Sequence, residues 1–472
     1  MLTYSFTNIG SDSLYQHLYK CIKNDIIQQI LVPGTKLPSK RTFAKNLGIS
    51  IITVENAYAQ LQAEGYIYSI PKKGYFVSDI KNMHPRQAPI LSSENVQLSA
   101  GVSHYLADFS SNQTSSDNFP FSIWAKLIRE ILNDYQQELV TNPPCGGILP
   151  LRKAIAKYLR EFRNICVEPE QIIIGAGTEY LYGLLIQLLG FDKKYAVEDP
   201  GYGKIYRIYQ KHNVTCDLIP MDHFGMTIDE LEQKKSDIIH ISPSHHFPTG
   251  IVMPISRRYE LLAWASKSDS RYIIEDDYDS EFRMTGKPIP SMLNIDVQEK
   301  VIYINTFTKT LASTVRISYM VLPKHLVNQF YTELSFYSCT VSNFEQYTLA
   351  RFIEDGYFEK HINRMRNYYH AKRDLLLKAL QNSRLAPYVK IMEEDAGLHF
   401  ILGIRTGLSD RTFCLLAEQN GVRITALSSF YAQPPQDAEH FFVINYSSIP
   451  EDSINPAIEI IYDIITKVSP ET

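Results

Sequence analysis

Between Leu14 and Ile30 the apolar residues Leu14, Leu18, Cys21, Ile22, Ile26, Ile27 and Ile30 recur at the spacing of one helix face, and Pro33-Gly34 breaks the pattern. Ser39 is then placed to cap a second helix carrying Phe43, Ala44 and Leu47, which Gly48 ends. Ser50 caps a third, whose Val54, Ala57, Tyr58 and Leu61 form a single stripe closed by Gly65. From Tyr66 to Val77 the chain reads as a two-stranded hairpin with Lys72 and Lys73 at its tip. Three helices and a hairpin predict a winged helix-turn-helix over residues 1–80.

Residues 81–117 shift to Ser, Asn, Gln and His, as in a linker that partly docks on the next domain. That second domain is expected over 118–472, with a large part at about 140–355 and a small part at about 356–472. In it the runs Ile172–Ile174, Ile238–Ile241, Tyr272–Ile274, Val301–Ile304 and Tyr319–Leu322 are apolar on both faces and separated by helix-length segments. That pattern predicts an α/β fold with a mostly parallel sheet covered by helices. A long charged helix, Glu359 to Leu380, leads into a smaller α+β part.

At 472 residues the chain exceeds one ordinary core, and with 44% hydrophobic and 21% charged residues it is globular. Its net charge of −4 argues against a uniform polyanion binder, but the charge is uneven. Residues 1–80 carry eight Lys or Arg against five acids, a net +3, which leaves −7 for the remainder. The six cysteines are scattered, without a Cys-x-x-Cys pair or histidines at metal spacing, as in the reduced residues of a cytosolic protein. The first residues show no secretory pattern and no apolar run is long enough to cross a membrane, so a cytoplasmic location is expected.

The third helix would enter the major groove, with Ser50, Ile52, Thr53 and Asn56 opposite its core stripe. Ser39, Lys40, Arg41, Lys45, Lys72 and Lys73 lie where phosphates would pass. The stretch Pro33 to Ser50, continuing through Thr53 to Tyr66, resembles the GntR-type winged-helix family of bacterial transcription factors, without a gap from Leu31 to Val77. Where that family commonly has arginine after the serine, this chain has Ile51.

The second domain offers the groups an aldehyde cofactor with a pyridine ring and a phosphate requires: an amine, an acid for the ring nitrogen, and a phosphate cradle. Asp276 ends one apolar run and Lys309 follows the next, thirty-three residues on, so successive strands would bring both to one sheet edge. Gly177, Thr178 and Glu179 lie between a strand and a helix start suited to an anion, and Thr306, Thr308 and Arg316 can complete the cradle. Taken singly, each has an ordinary reading as a solvated lysine, a capped loop or a plain turn.

In order, they resemble the fold-type I, pyridoxal-phosphate-dependent aminotransferases. Glu275-Asp-Asp-Tyr-Asp-Ser-Glu-Phe-Arg283, Thr306-Phe-Thr-Lys309 and Arg316-Ile-Ser-Tyr319 carry that likeness. With the winged helix, the chain resembles the MocR/GabR subfamily of GntR regulators from Leu14 to about Ile461. The resemblance implies that Lys309 forms the internal aldimine and is the catalytic lysine. It also implies that Asp276 pairs with the pyridinium nitrogen, Tyr278 with the ring hydroxyl, and that Tyr202 stacks on the ring.

The chain departs from the enzymes at several points. Ser244-His-His-Phe247 stands where they place Asn before Pro-Thr-Gly, and neither Phe441–Tyr446 nor Ala426–Phe430 holds the arginine that grips a substrate carboxylate. Asn142 replaces a tyrosine that a partner subunit often supplies. Lys204 and Arg423 remain as candidate cations for an effector. The expectation is a head-to-tail homodimeric regulator that binds DNA and senses an amine, an amino acid or pyridoxal 5'-phosphate itself, with at most partial transamination. Its rivals are an active aminotransferase with a fused DNA-binding domain and a cofactor-free dimerisation platform.

Overall fold

A computed structural model describes residues 2–6, 12–80, 105–111, 118–283, 290–395, 397–435 and 438–468. The chain forms two compact units, Met1–Val102 and Ser103–Thr472. The linker expected at 81–117 lies outside the described residues over 81–104 and 112–117.

In the first unit, helices α1 (Leu14–Ile27), α2 (Lys40–Leu47) and α3 (Ile51–Ala63) precede the antiparallel hairpin β1 (Ile67–Ile70) and β2 (Gly74–Val77). Both expected caps form: Ser39 Oγ accepts the Thr42 N–H at 3.2 Å and Ser50 Oγ accepts the Thr53 N–H at 3.0 Å. Gly48 ends α2 at φ 67°, a left-handed turn that glycine adopts without strain. Leu18, Ile22, Phe43, Val54, Ala57, Tyr58 and Leu61 form one dry core. Of the stripe predicted on α1, Leu14, Ile27 and Ile30 remain exposed, because the helix stops at Ile27 and only its Leu18–Ile22–Ile26 side meets α3.

The second unit is built on an eight-stranded sheet. Its strands are β4 (Ile172–Gly175), β5 (Lys194–Asp199), β6 (Thr215–Asp222), β7 (Gly225–Met226), β8 (Ile238–Ile241), β9 (Tyr272–Asp276), β10 (Val301–Thr306) and β11 (Ser318–Val321), preceded in the chain by a short β3 (Ala107–Asp108). The spatial order is β4-β11-β10-β9-β8-β5-β6-β7. The pairs from β10 through β9, β8 and β5 to β6 are parallel, and β11 runs against both β10 and β4. Strands such as Ile238–Ile241 and Val301–Thr306 are buried throughout, as helices on both faces require. The long helix Tyr357–Gln381 then leads to a smaller sheet of β12 (Val389–Met392), β13 (His399–Ile404), β16 (Phe441–Asn445) and β15 (Thr425–Ala426). There β14 (Val422–Arg423) pairs in parallel with β3, so residues 105–111 belong to this unit and Phe109 sits in the small part's core.

Candidate cofactor site and nucleic-acid interface

Because β4, β5, β8, β9 and β10 run the same way, their carboxyl ends share one edge of the sheet. Gly177, Tyr202, the Ser242–Phe247 loop, Asp276, Thr306 and Lys309 all lie at or just past those ends. A strand turns successive side chains to opposite faces, and β9 uses this to separate three neighbouring acids. Glu275 receives the Met292 and Leu293 N–H groups at 2.9 and 3.1 Å on one face. Asp277, on that same face, accepts from Tyr303 at 2.7 Å and from Arg163 at 2.5 Å.

Asp276 faces the other way. Its Oδ2 accepts the Tyr182 hydroxyl at 2.6 Å and lies 3.5 Å from His240 Nε2, whose Nδ1 meets the Tyr209 hydroxyl at 2.9 Å. Its Oδ1 is buried and has no hydrogen-bond partner among the described residues. Leaving such an oxygen bare costs roughly 1–3 kcal/mol or more, so this is where a proton-bearing ring nitrogen fits.

Lys309 lies at the centre of the turn in which the Leu311 N–H bonds the Phe307 carbonyl at 2.9 Å. Burial pushes its ammonium down to about 8, partly opposed by the Asp279 carboxylate. Asp279 accepts the His245 Nδ1–H at 2.8 Å, and the Tyr278 hydroxyl lies 3.3 Å from the same nitrogen. His399, from β13, packs on His245 with ring centroids 4.4 Å apart and donates to the Pro248 carbonyl at 3.2 Å. Burial, then the neighbouring His245, holds the His399 pKa well below the usual imidazole range. Tyr182, His240 and His399 are not among the sequence candidates, and His245 and Asp279 stand in the stretches Ser244–Phe247 and Glu275–Arg283 without a role of their own. A histidine inside the otherwise apolar Ile238–Ile241 was the visible signal for one of them.

The residues expected around the phosphate form two groups, Thr306 with Thr308 and Gly177 with Glu179 and Arg316. Thr306 donates to Thr308 Oγ1 at 2.8 Å and accepts from the Ser318 hydroxyl at 2.8 Å. Gly177, at φ 92°, caps the Thr178–Leu189 helix so closely to Arg316 that a Cβ would stand 2.4 Å from its Nη2. Arg316 reaches Glu179 Oε1 at 3.3 Å, and Lys204 ion-pairs with the same oxygen. Lys204 first, and Arg316 after it, hold the Glu179 carboxyl below its usual range. Tyr202 is half exposed and meets Phe247 edge-on at 5.7 Å, while Phe247 also touches His399 and Phe430, each at 5.2 Å. Arg423 is placed elsewhere, 3.5 Å from Asp108 and over the Tyr105 ring at 5.6 Å.

A chain of hydrogen bonds leaves the lysine's turn. The Thr310 carbonyl accepts His361 Nε2–H at 2.7 Å, and Arg364 donates to His361 Nδ1 at 3.0 Å and to the Asn118 carbonyl at 2.7 Å. Burial lowers the His361 pKa to about 4, so the ring is neutral and this donor pattern is fixed.

On the winged helix, Ser39 and Ser50 are engaged as caps, and the Thr53 hydroxyl lies 2.8 Å from that of Ser50. Lys40 pairs with Glu55 at 2.6 Å, whereas Arg41, Asn56, Lys72 and Lys73 are exposed. Among the described residues no group of three or more His, Cys, Asp or Glu could hold a metal, and no helix is long and apolar enough to cross a membrane.

A winged helix followed by an α/β body whose sheet carries Asp276, Thr306 and Lys309 at its carboxyl edge is the arrangement of a helix-turn-helix regulator with an aminotransferase-type body. Residues 106–461 match aminotransferase class I and II, and residues 14–77 match the gntR family of bacterial regulatory proteins. The chain is 39% identical over 422 residues to YdeL of Bacillus subtilis (strain 168), an uncharacterized HTH-type transcriptional regulator, covering 89% of this chain and 90% of that one. It is 31% identical over 460 residues to the probable rhizopine catabolism regulatory protein MocR of Rhizobium meliloti, covering 94% and 92%. In fold it is similar to Pyrococcus horikoshii kynurenine aminotransferase, with a TM-score of 0.68 at 24% identity over 83% of this chain and 99% of that chain. The chain belongs to the gntR family in its MocR/GabR form: it is a transcriptional regulator with an aminotransferase-like domain.

Proposed function

We propose that this regulator binds pyridoxal 5'-phosphate at Lys309 and senses an amine, an amino acid or the cofactor itself, acting as a cytoplasmic head-to-tail homodimer. The bare Asp276 Oδ1, on the sheet edge that also carries Lys309, is the observation that carries the reading. Asp276 would hold the ring nitrogen, Tyr278 the ring hydroxyl and Tyr202 the ring face, with Gly177, Thr178, Glu179, Thr306, Thr308 and Arg316 around the phosphate. Glu179 must then yield Arg316, its partner at 3.3 Å, at least in part to the phosphate.

When bound, the cofactor supplies an aldehyde carbon that one amine at a time can occupy. Lys309, at about 8, is neutral often enough near pH 7.5 to serve as that amine, and Asp279 would stabilise its ammonium whenever another amine held the aldehyde. Release of Lys309 would loosen the turn that Thr310 ties to His361, and Arg364 extends that tie to Asn118, three residues before the body's first long helix. An effector acts through this path only if it binds the two arrangements unequally.

The test is a spectral titration of the full chain with pyridoxal 5'-phosphate, followed by DNA binding with cofactor alone and with a panel of amines. A visible band should form in the native chain, be lost in Lys309→Ala and weaken in Asp276→Asn. A spectrum that added cofactor leaves unchanged would overturn the reading. Sustained product formation with a keto-acid acceptor would make the body an enzyme instead.

A further inference from the structure

The face that α3 turns outward is unusual for a DNA reader because it has no cation. Helical residues advance about 100° each, so the buried Val54, Ala57, Tyr58 and Leu61 define one side, and Ile52, Asn56 and Ala59 lie opposite. No Lys or Arg occurs from Ile51 to Ala63. Ile52 is 69% exposed and Ile51 46%, while Asn56 is also exposed. Glu55, beside them, is drawn to Lys40 at 2.6 Å. One exposed isoleucine is ordinary on any surface. Two in succession at the start of a gntR-family recognition helix, where base edges approach, call for an apolar partner.

We propose that α3 reads A·T pairs, with Asn56 bonding the N6 and N7 edge of an adenine and Ile52 packing on a thymine methyl about two base steps away. The major groove offers one strongly apolar group, the C5-methyl of thymine, and adenine is the base whose edge an asparagine amide matches in two bonds. Guanine is matched by Arg or Lys, which this helix lacks. Four residues of helix rise about 6 Å, close to two stacked base pairs at about 3.4 Å each. The basic residues Arg41, Lys72 and Lys73 lie off α3, so their attraction to phosphate carries no base preference of its own. The proposal rests on the winged helix alone and does not depend on the cofactor reading.

The experiment is selection by the full chain from a randomised duplex library, then resynthesis of the selected duplex with deoxyuridine replacing each thymine in turn. That change removes only the methyl group and keeps the base pair. At one thymine per half-site the native chain should lose about four-fold in affinity, and Ile52→Ala less than about two-fold. Asn56→Ala should lose about ten-fold or more and no longer distinguish the adenine from other bases. Ile52→Val, which keeps a branched apolar side chain, should retain most of the methyl effect. The dependence of binding on salt should be the same for the native chain and Ile52→Ala, since neither side chain meets phosphate. Selection of G·C pairs at the positions sensitive to Ile52 and Asn56 would overturn the proposal. So would deoxyuridine without effect at every position.

Discussion

Replacing Lys309 by Met should stabilise the cofactor-free chain at neutral pH, even though it removes the residue on which the proposed function depends. The ammonium is held at about 8 against an ordinary 10.5, with burial the main cause. A lysine whose folded pKa is lowered binds fewer protons folded than unfolded between those two values. Stability therefore rises with pH from about 8 to 10.5, and the whole cost is present below about 8. At roughly 1.4 kcal/mol per pH unit, and allowing for the partly exposed stem, the cost is on the order of 2–3 kcal/mol at pH 7. Methionine has a similar length and no charge, so the substitution removes that cost without opening a large cavity. The assay is urea unfolding of both apoproteins at pH 7 and pH 9.5. Every other titrating group is common to both, so their difference isolates Lys309. Lys309→Met should be the more stable at pH 7, and its advantage should shrink by more than half at pH 9.5. A native chain that is the more stable at pH 7, or a gap that does not change with pH, would refute the reasoning.

Gly177→Ala should lower the melting temperature and weaken cofactor uptake together, since φ 92° strains any side chain and its Cβ would displace Arg316; a loss of at least about 1 kcal/mol by denaturant titration is expected. Ser50→Ala removes the cap on the Thr53 N–H, which should cost about 1 kcal/mol in the winged helix and weaken DNA binding without altering a spectral titration of the cofactor. His361→Ala leaves the Thr310 carbonyl without its donor, at about 1–3 kcal/mol in a thermal or urea melt, and should blunt the response of DNA binding to amines while the visible band still forms.

The parts of the fold that were legible in the sequence are those whose information is local. Ser39, Ser50 and Gly48 announce helix ends because a cap acts within three residues, and all three occur where expected. Ile172–Ile174 and Val301–Ile304 read as central strands because burial on both faces leaves no polar alternation. Strands β5 and β6 were not predicted. Lys194-Tyr-Ala-Val-Glu-Asp199 mixes charge with apolar residues, and β6 lies next to the sheet's edge with several residues partly or fully exposed. His399 comes from a strand ninety residues beyond Lys309, and only the packing of the small part against the large one brings the two near each other. Glu179 shows the same limit in reverse, since a helix-start position says nothing of the Arg316 and Lys204 that converge on its carboxylate.

The two-residue strand at Ala107–Asp108 has a mechanical meaning. It is the first described stretch after the winged helix, and it is moored to the small part by Phe109, whose N–H bonds the Arg423 carbonyl at 2.8 Å and whose carbonyl receives the Asn445 N–H at 2.9 Å. The next helix, Phe121–Asp134, belongs instead to the large part, where Trp124 packs on Phe352 with ring centroids 5.5 Å apart. Residues 105–111 are thus anchored on one plate, the small part, while Lys309 is fixed to the other, the large part. Any slip between the plates moves the anchorage relative to the lysine by the same distance, with no need to deform the sheet that carries either acid or amine.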